Sequence, residues 1–189
     1  MKYFLSIDQG TTSTRCILFN DDGSVSSSHQ IELTQYFPDK NSVEHDPIEI
    51  IDSVNKCIQN VVNDIDINQI VSIGISNQRE TTVAWSKSTG EPFYNAIVWQ
   101  DTRTQEICDE LINNKNFNDL IKCTGLPIST YFSLSKILWL IKNVPEIKSS
   151  LDDDVCFGTI DSWIVYNLTG NFYTDVTNAS RTLMYDLYN

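Results

Sequence analysis

The sequence predicts an α/β fold whose mixed sheet opens on three antiparallel strands and is flanked by helices. Three observations carry this expectation. Residues 2–19 hold two apolar runs separated by a polar turn, and Asn20-Asp21-Asp22-Gly23 is a hairpin turn that leads into a third, weakly alternating segment. Asp46-Pro47-Ile48-Glu49 is a helix start, with an N-cap carboxylate, proline in the first helical position and a glutamate able to close a capping box. Residues 70–75 are then a short apolar run, read as a strand buried on both faces. Three antiparallel strands at the start exclude a pure Rossmann opening.

The elements follow in order. The first strand covers residues 2–7, with Asp8 at its tip, and the second covers 16–19. The third runs from 25 to 35, and a loop carrying Pro38 follows. The helix that starts at Pro47 places Ile51, Val54, Ile58, Val61 and Val62 on one face and ends near Asn63. After the strand at 70–75 comes a polar stretch, Ser76 to Thr82, and then apolar Val83-Ala84-Trp85. Residues 88–92 make a turn, and 94–99 read as a short strand. Helical patterns occupy 103–115 and 116–123 and stop at Gly125-Leu126-Pro127. The clearest amphipathic helix is 133–143, and Pro145 marks a stop or a restart. Residues 155–158 predict a strand, 159–168 a helix capped by Asp161, and 174–181 a polar loop or strand. No stretch has the composition of a linker, so a single domain over 1–189 is expected.

Composition narrows the function classes. At 189 residues, 41% hydrophobic and 11% aromatic, the chain can bury a core and is not of the disordered class. Thirteen basic against 25 acidic residues give a net charge of −12, which argues against nucleic acid or an anionic membrane as a partner. A nucleotide remains compatible, since it needs only local donors and a metal. The cysteines at 16, 57, 108, 123 and 156 are odd in number and scattered, with no CxxC. They read as reduced thiols, neither a disulfide framework nor a zinc site, and the expected compartment is the cytoplasm. No signal peptide is evident and no apolar run is long enough to span a bilayer. Two sequons, at Asn167 and Asn178, are read as chance matches.

Two polar constellations carry chemistry. The first is the turn Asp8-Gln9-Gly10-Thr11-Thr12-Ser13-Thr14-Arg15. Gly10 permits a backbone shape in which successive N–H groups form an anion nest. Thr11, Thr12 and Ser13 add hydroxyl donors, Arg15 adds a fixed positive charge, and Asp8 suits Mg2+, bound directly or through water. The residues alone leave two readings open, a nucleotide phosphate and metal site or an ordinary hairpin rich in turn-formers. The turn is not a P-loop, because no Gly-Lys-Ser/Thr follows it. The second constellation is Arg79-Glu80, at the carboxyl end of the strand at 70–75. Adjacent residues in extended chain point to opposite sides, so the pair shares a site only where the backbone bends. A bent pair donates from Arg79 and accepts at Glu80, which suits a polyol, and Trp99 and Tyr131 can cover its carbon side. The alternative is an Arg–Glu surface pair. His45, next to the helix cap, reads as a local hydrogen-bonding residue.

Several blocks resemble one family. They are residues 8–13, Val43-Glu44-His45-Asp46-Pro47, Gly74 to Thr82, Tyr94 to Gln100, and Thr177-Asn178-Ala179-Ser180-Arg181-Thr182, with 131–143 matching a family signature. The chain is similar in order, and over nearly its whole length, to the glycerol kinases of the FGGY carbohydrate kinase family. The resemblance implies an actin-like ATPase (ribonuclease H-like) fold, with ATP and substrate meeting in a cleft between two domains. It implies that Thr11, Thr12, Ser13 and Arg15 contact the ATP phosphates and that Asp8 is the Mg2+-associated carboxylate. It implies glycerol contacts at Arg79, Glu80, Trp99 and Tyr131, with the Asn77 to Thr81 block pointing to glycerol over a pentulose. The implied reaction is ATP-dependent phosphorylation of glycerol to sn-glycerol 3-phosphate, and the intact enzyme is compatible with a homo-oligomer. The family's catalytic-base Asp, its glycine-rich adenosine-binding segments and its second signature match nothing in these residues. The expectation is therefore an incomplete N-terminal domain, 1–189, holding the substrate and phosphate sides of the cleft and inactive as a kinase by itself. Two alternatives stand beside it: another FGGY polyol or sugar kinase, and a non-catalytic interaction module.

Overall fold

Alternation of buried and exposed residues makes β1 (Tyr3–Gln9) and β2 (Ser13–Asn20) half-buried strands, and the two pair antiparallel. They belong to a computed structural model that describes residues 2–114, 117 and 119–188. The chain divides into two compact units, Met1–Gln35 with Asp46–Gln78, and Tyr36–His45 with Arg79–Asn189. The crossings fall at 35/36, 45/46 and 78/79, where no linker-like composition marks them.

In the first unit, β3 (Val25–Glu32) pairs antiparallel with β2, and β5 (Ile70–Asn77) pairs parallel with β1, giving the order β3-β2-β1-β5. The connection from β3 to β5 includes α1 (Pro47–Val62), packed mainly on β2 and β3. Leu5, Ile7, Cys16 and Leu18 of the sheet meet Ile50, Val54, Cys57 and Val61 of the helix in the buried core. Asp46 caps α1 as expected, its Oδ1 accepting from the Ile48 N–H at 2.8 Å. Glu49 does not close a capping box. Its carboxylate instead accepts from the Thr34 N–H at 2.9 Å, beside the chain leaving β3.

Strand β5 corrects an expectation. It is apolar in sequence, yet Val71 and Ile73 are 55% and 51% exposed. It is the outer strand of the sheet, and α1 is centred on the opposite side, over β2 and β3. The first two strands also differ from expectation. Asp8 and Gln9 lie within β1, and Ser13 to Arg15 lie within β2, so the turn contracts to Gly10, Thr11 and Thr12.

The second unit is built on an antiparallel sheet in the order β4-β7-β6-β8: β4 is Glu44–His45, β6 Thr82–Ser86, β7 Ala96–Ile97 and β8 Val155–Thr159. Only Ala96 and Ile97 of the expected strand at 94–99 are extended in the ladder, because β7 pairs with the two-residue β4 and with Thr82 alone on β6. His45 is buried opposite Ala96. Helices α2 (Gln105–Asn113), α3 (Leu120–Thr124), α4 (Ser133–Asn143) and α5 (Pro145–Ser150) follow. Lys115 and Asn116, the expected join of two helical patterns, lie outside the described residues. Gly125 ends α3 in the left-handed conformation, φ 67°.

One core of this unit gathers Ala84, Ile97, Leu140, Val144 and Ile147. A second gathers the rings of Trp85, Trp163, Tyr166 and Phe172, with Trp85 5.2 Å from Trp163 and edge-on to Phe172 at 5.1 Å. Helix α6 (Ile160–Thr169) starts at Thr159 without a side-chain cap. Asp161, expected as that cap, lies inside the first turn and accepts from the hydroxyls of Thr159 and Thr174. The expected loop at 174–181 contains a single helical turn, α7 (Val176–Ala179), capped by Asp175. Among the described residues no helix is long and apolar enough to cross a membrane.

Candidate functional site

In the second unit the polar segment before β6 does bend. Glu80 has φ 65°, in the left-handed region that a side chain other than glycine rarely occupies. Such a residue costs on the order of 1–3 kcal/mol and persists only where its surroundings hold it. Three groups do so here. The Glu80 carbonyl accepts from the Ser133 hydroxyl at 3.0 Å and the Thr82 hydroxyl at 3.1 Å. The buried Glu80 carboxylate accepts from Arg181 Nε at 2.7 Å. The bend does not bring the two side chains to one side: Arg79 is exposed and Glu80 is buried.

Around Glu80 the aromatic residues converge. Arg181 lies over the Phe132 ring at 5.0 Å and over the Tyr131 ring at 5.9 Å. Tyr131, 37% exposed, sits 5.5 Å from Trp99 at a tilt of 59°. The Trp99 main-chain N–H donates to the Thr81 hydroxyl at 3.1 Å, tying that wall to the residue next to Glu80. Glu80, Trp99 and Tyr131 are thus brought together, while Arg79 stands exposed beside Glu80 in the chain.

Two supports went unread in the sequence. Arg181 lay in a polar block whose role was open, and it reaches Glu80 across 101 positions in sequence. Behind the wall lies an ion network. Arg103 meets Glu44 at 2.7 Å and Asp101 at 2.8 Å, donates to Tyr94, and lies over Trp139 at 4.8 Å. Tyr94 and Asn95 both donate to Glu44 at 2.9 Å. Burial alone would lower the Arg103 pKa, but its bonds to Asp101 and Glu44 outweigh burial and raise it. The blocks at 43–47 and 94–100 therefore meet as a buttress, which no spacing within either block discloses.

In the first unit the expected phosphate turn is a tight hairpin. The Gly10 N–H donates to the Ser13 carbonyl at 2.9 Å, and a Cβ at Gly10 would come within 3.3 Å of that oxygen. Asp8 and Arg15 are register partners across β1 and β2, and both are exposed with Thr12. Asp8 Oδ1 accepts from Ser76 at 2.6 Å. Ser13 Oγ accepts from Gln30 at 3.1 Å. A third unread support lies here: Gln78 Nε2 donates to Gln9 Oε1 at 3.1 Å and to the Gly10 carbonyl at 3.3 Å, bracing the turn from the end of β5. No cluster of three metal-ligating side chains exists among the described residues. One exposed carboxylate beside hydroxyl donors fits a Mg2+ ion held largely by water and phosphate oxygens.

Residues 3–189 match the profile of the N-terminal domain of the FGGY family of carbohydrate kinases. The chain belongs to that family. Its relatives include a probable glycerol kinase of Caenorhabditis elegans, 46% identical over all of this chain, and the glycerol kinase of Oceanobacillus iheyensis, 50% identical over 99% of it. This FGGY chain spans 39% and 38% of those two proteins. The crystal structure of Plasmodium falciparum glycerol kinase with ADP superposes with a TM-score of 0.89 at 43% identity, covering 98% of this chain and 38% of that one. A ligand-bound xylulose kinase from Lactobacillus acidophilus superposes at 0.87 with 27% identity, covering 99% and 37%. As an FGGY domain the chain has the actin-like ATPase fold expected from its blocks.

Proposed function

We propose that this chain is the substrate- and phosphate-binding part of a glycerol kinase, which moves the γ-phosphoryl group of ATP to a terminal hydroxyl of glycerol. The observation that carries the reading is the convergence of Glu80, Trp99 and Tyr131 on one another through a bent backbone. Glu80 accepts from a glycerol hydroxyl and Arg79 donates to one, each a charge-assisted bond contributing roughly 1.5–3 kcal/mol. Trp99 covers the carbon face, and Tyr131 adds a hydroxyl donor beside it. This set fits a short polyol with no carbonyl to recognise.

The exposed hairpin of the first unit is assigned to the phosphates. The hydroxyls of Thr11, Thr12 and Ser13 and the Arg15 guanidinium hold phosphate oxygens, and the free oxygen of Asp8 faces Mg2+ or its water. Bound Mg2+ neutralises phosphate charge. In the transfer, the bond from the γ-phosphorus to the bridging oxygen of ADP breaks and one to the glycerol oxygen forms. The hydroxyl proton leaves to a base outside these residues. Catalysis of this kind is mostly positioning and charge neutralisation.

Arg79→Ala tests the reading by ligand titration. Glycerol affinity is expected to fall roughly tenfold or more, the worth of one charged hydrogen bond, with the response to ATP unchanged. Arg15→Ala is expected to do the reverse. Equal losses for both ligands in either variant would overturn the assignment. The unaltered chain phosphorylating glycerol at a rate near that of an intact kinase would overturn the absence of the base.

A further inference from the structure

Lys136 stands in an unfavourable place. Its side chain is fully buried, where lysine is rarely found. It also lies in the first turn of α4, where the helix dipole disfavours a positive charge. Two costs at one residue call for a compensating interaction, and the structure supplies it. Nζ donates to the Thr130 carbonyl and, at 3.3 Å, to the Tyr131 carbonyl. Asp101, Cys108 and Glu80 favour its charged form, against burial and the Arg103 guanidinium. It thus touches the main chain that carries one wall of the polyol site and lies in the field of the acceptor on the other.

We propose that Lys136 is a positioning residue for the polyol site, fixing the main chain at Thr130–Tyr131. It does not touch the substrate and takes no proton from it. Its effect reaches glycerol through Tyr131. Ser133, in the same first turn of α4, holds the Glu80 carbonyl at 3.0 Å, so the start of this helix grips both sides of the site. Burial lowers the Lys136 pKa to about 8, and the charged form predominates at neutral pH.

The inference rests on the polyol reading, and the test separates the two. The chain is titrated with glycerol and, separately, with ATP, following the Trp99 indole N–H by nuclear magnetic resonance. Hydrogen exchange is measured on the same samples. Lys136→Met is expected to weaken glycerol binding roughly tenfold, as two carbonyls lose a charged donor, and to leave the ATP response unchanged. Exchange is expected to rise at residues 130–133 and not in β1 or α6. Lys136→Arg, which keeps the charge and the donors, is expected to restore part of the affinity. A folded Lys136→Met chain that binds glycerol as the unaltered chain does overturns the proposal. Should Lys136→Met fail to fold, Lys136→Gln carries the same expectation and the same overturning result. If the unaltered chain shows no response to glycerol, the polyol reading fails, and exchange decides the role of Lys136. A rise confined to 130–133 supports it, and no rise, or one spread over the whole helix, removes it.

Discussion

Glu80 and Arg103 illustrate two ways in which single residues are held against their own preferences. Glu80 occupies a left-handed backbone because Ser133, Thr82 and Arg181 hold it through its carbonyl and one carboxylate oxygen. Arg103 is drawn half-buried between two buried carboxylates, Glu44 and Asp101, which need one cation between them. Removing one partner of such a network leaves uncompensated buried charge, at a cost of roughly 3–5 kcal/mol. Arg103→Met is therefore expected to lower unfolding free energy by about that amount in urea titrations. A loss under about 1 kcal/mol, the typical worth of an exposed pair, would show that the buttress is dispensable.

At the scale of elements, the contact of β8 with β6 depends on one missing methyl group. A Cβ on Gly158 would come within 2.8 Å of both Ser162 and the ring of Trp85, which is fully buried. Neither neighbour can retreat, since Trp85 is packed among Trp163, Tyr166 and Phe172. Gly158→Ala is expected to destabilise by about 1–3 kcal/mol, the usual range for overpacking a tight core, read as a lower thermal midpoint. The same scale explains where sequence periodicity misled. Apolar β5 reads as buried, but a strand's burial depends on what is laid over it, and α1 lies over β2 and β3. Asp161 reads as a cap, but the chain that returns at Thr174 offers it a different partner.

At the scale of the whole molecule, four thiols are buried, Cys16 and Cys57 in the first unit and Cys108 and Cys156 in the second. Burial raises the pKa of Cys16 from an ordinary 9.0 to about 12, with Cys57 beside it adding to the shift, and burial also raises Cys57, Cys108 and Cys156. A thiol whose folded pKa is raised keeps its proton when the unfolded chain has lost it. The folded state then binds more protons, so stability is fully present below pH 9 and falls as pH rises toward about 12. Lys136 acts with the opposite sign, since its lowered pKa makes stability rise between about 8 and 10.5. One lysine against four thiols leaves a net loss. Thermal midpoints measured in reductant from pH 7 to the alkaline limit are expected to decline above about pH 9. A flat profile would show that the thiols ionise alike in both states.

The sequence by itself determined the local grammar: the antiparallel opening, the capped α1, the stop at Gly125, the amphipathic α4, and blocks specific enough to place the chain among FGGY kinases. These follow from neighbours along the chain, such as a proline in a first turn or apolar residues one helical turn apart. Arg79, Glu80, Trp99 and Tyr131 were named from their motif. That Glu80 turns inward, that Arg181 grips it, and that Trp99 leans on Tyr131 were decided only by the tertiary structure. So were the bracing of the first hairpin by Gln78, the Glu44–Arg103–Asp101 buttress, and the exposure of β5. The reason is physical. Most of these join groups tens of residues apart, and their energy does not exist until packing has removed water from both.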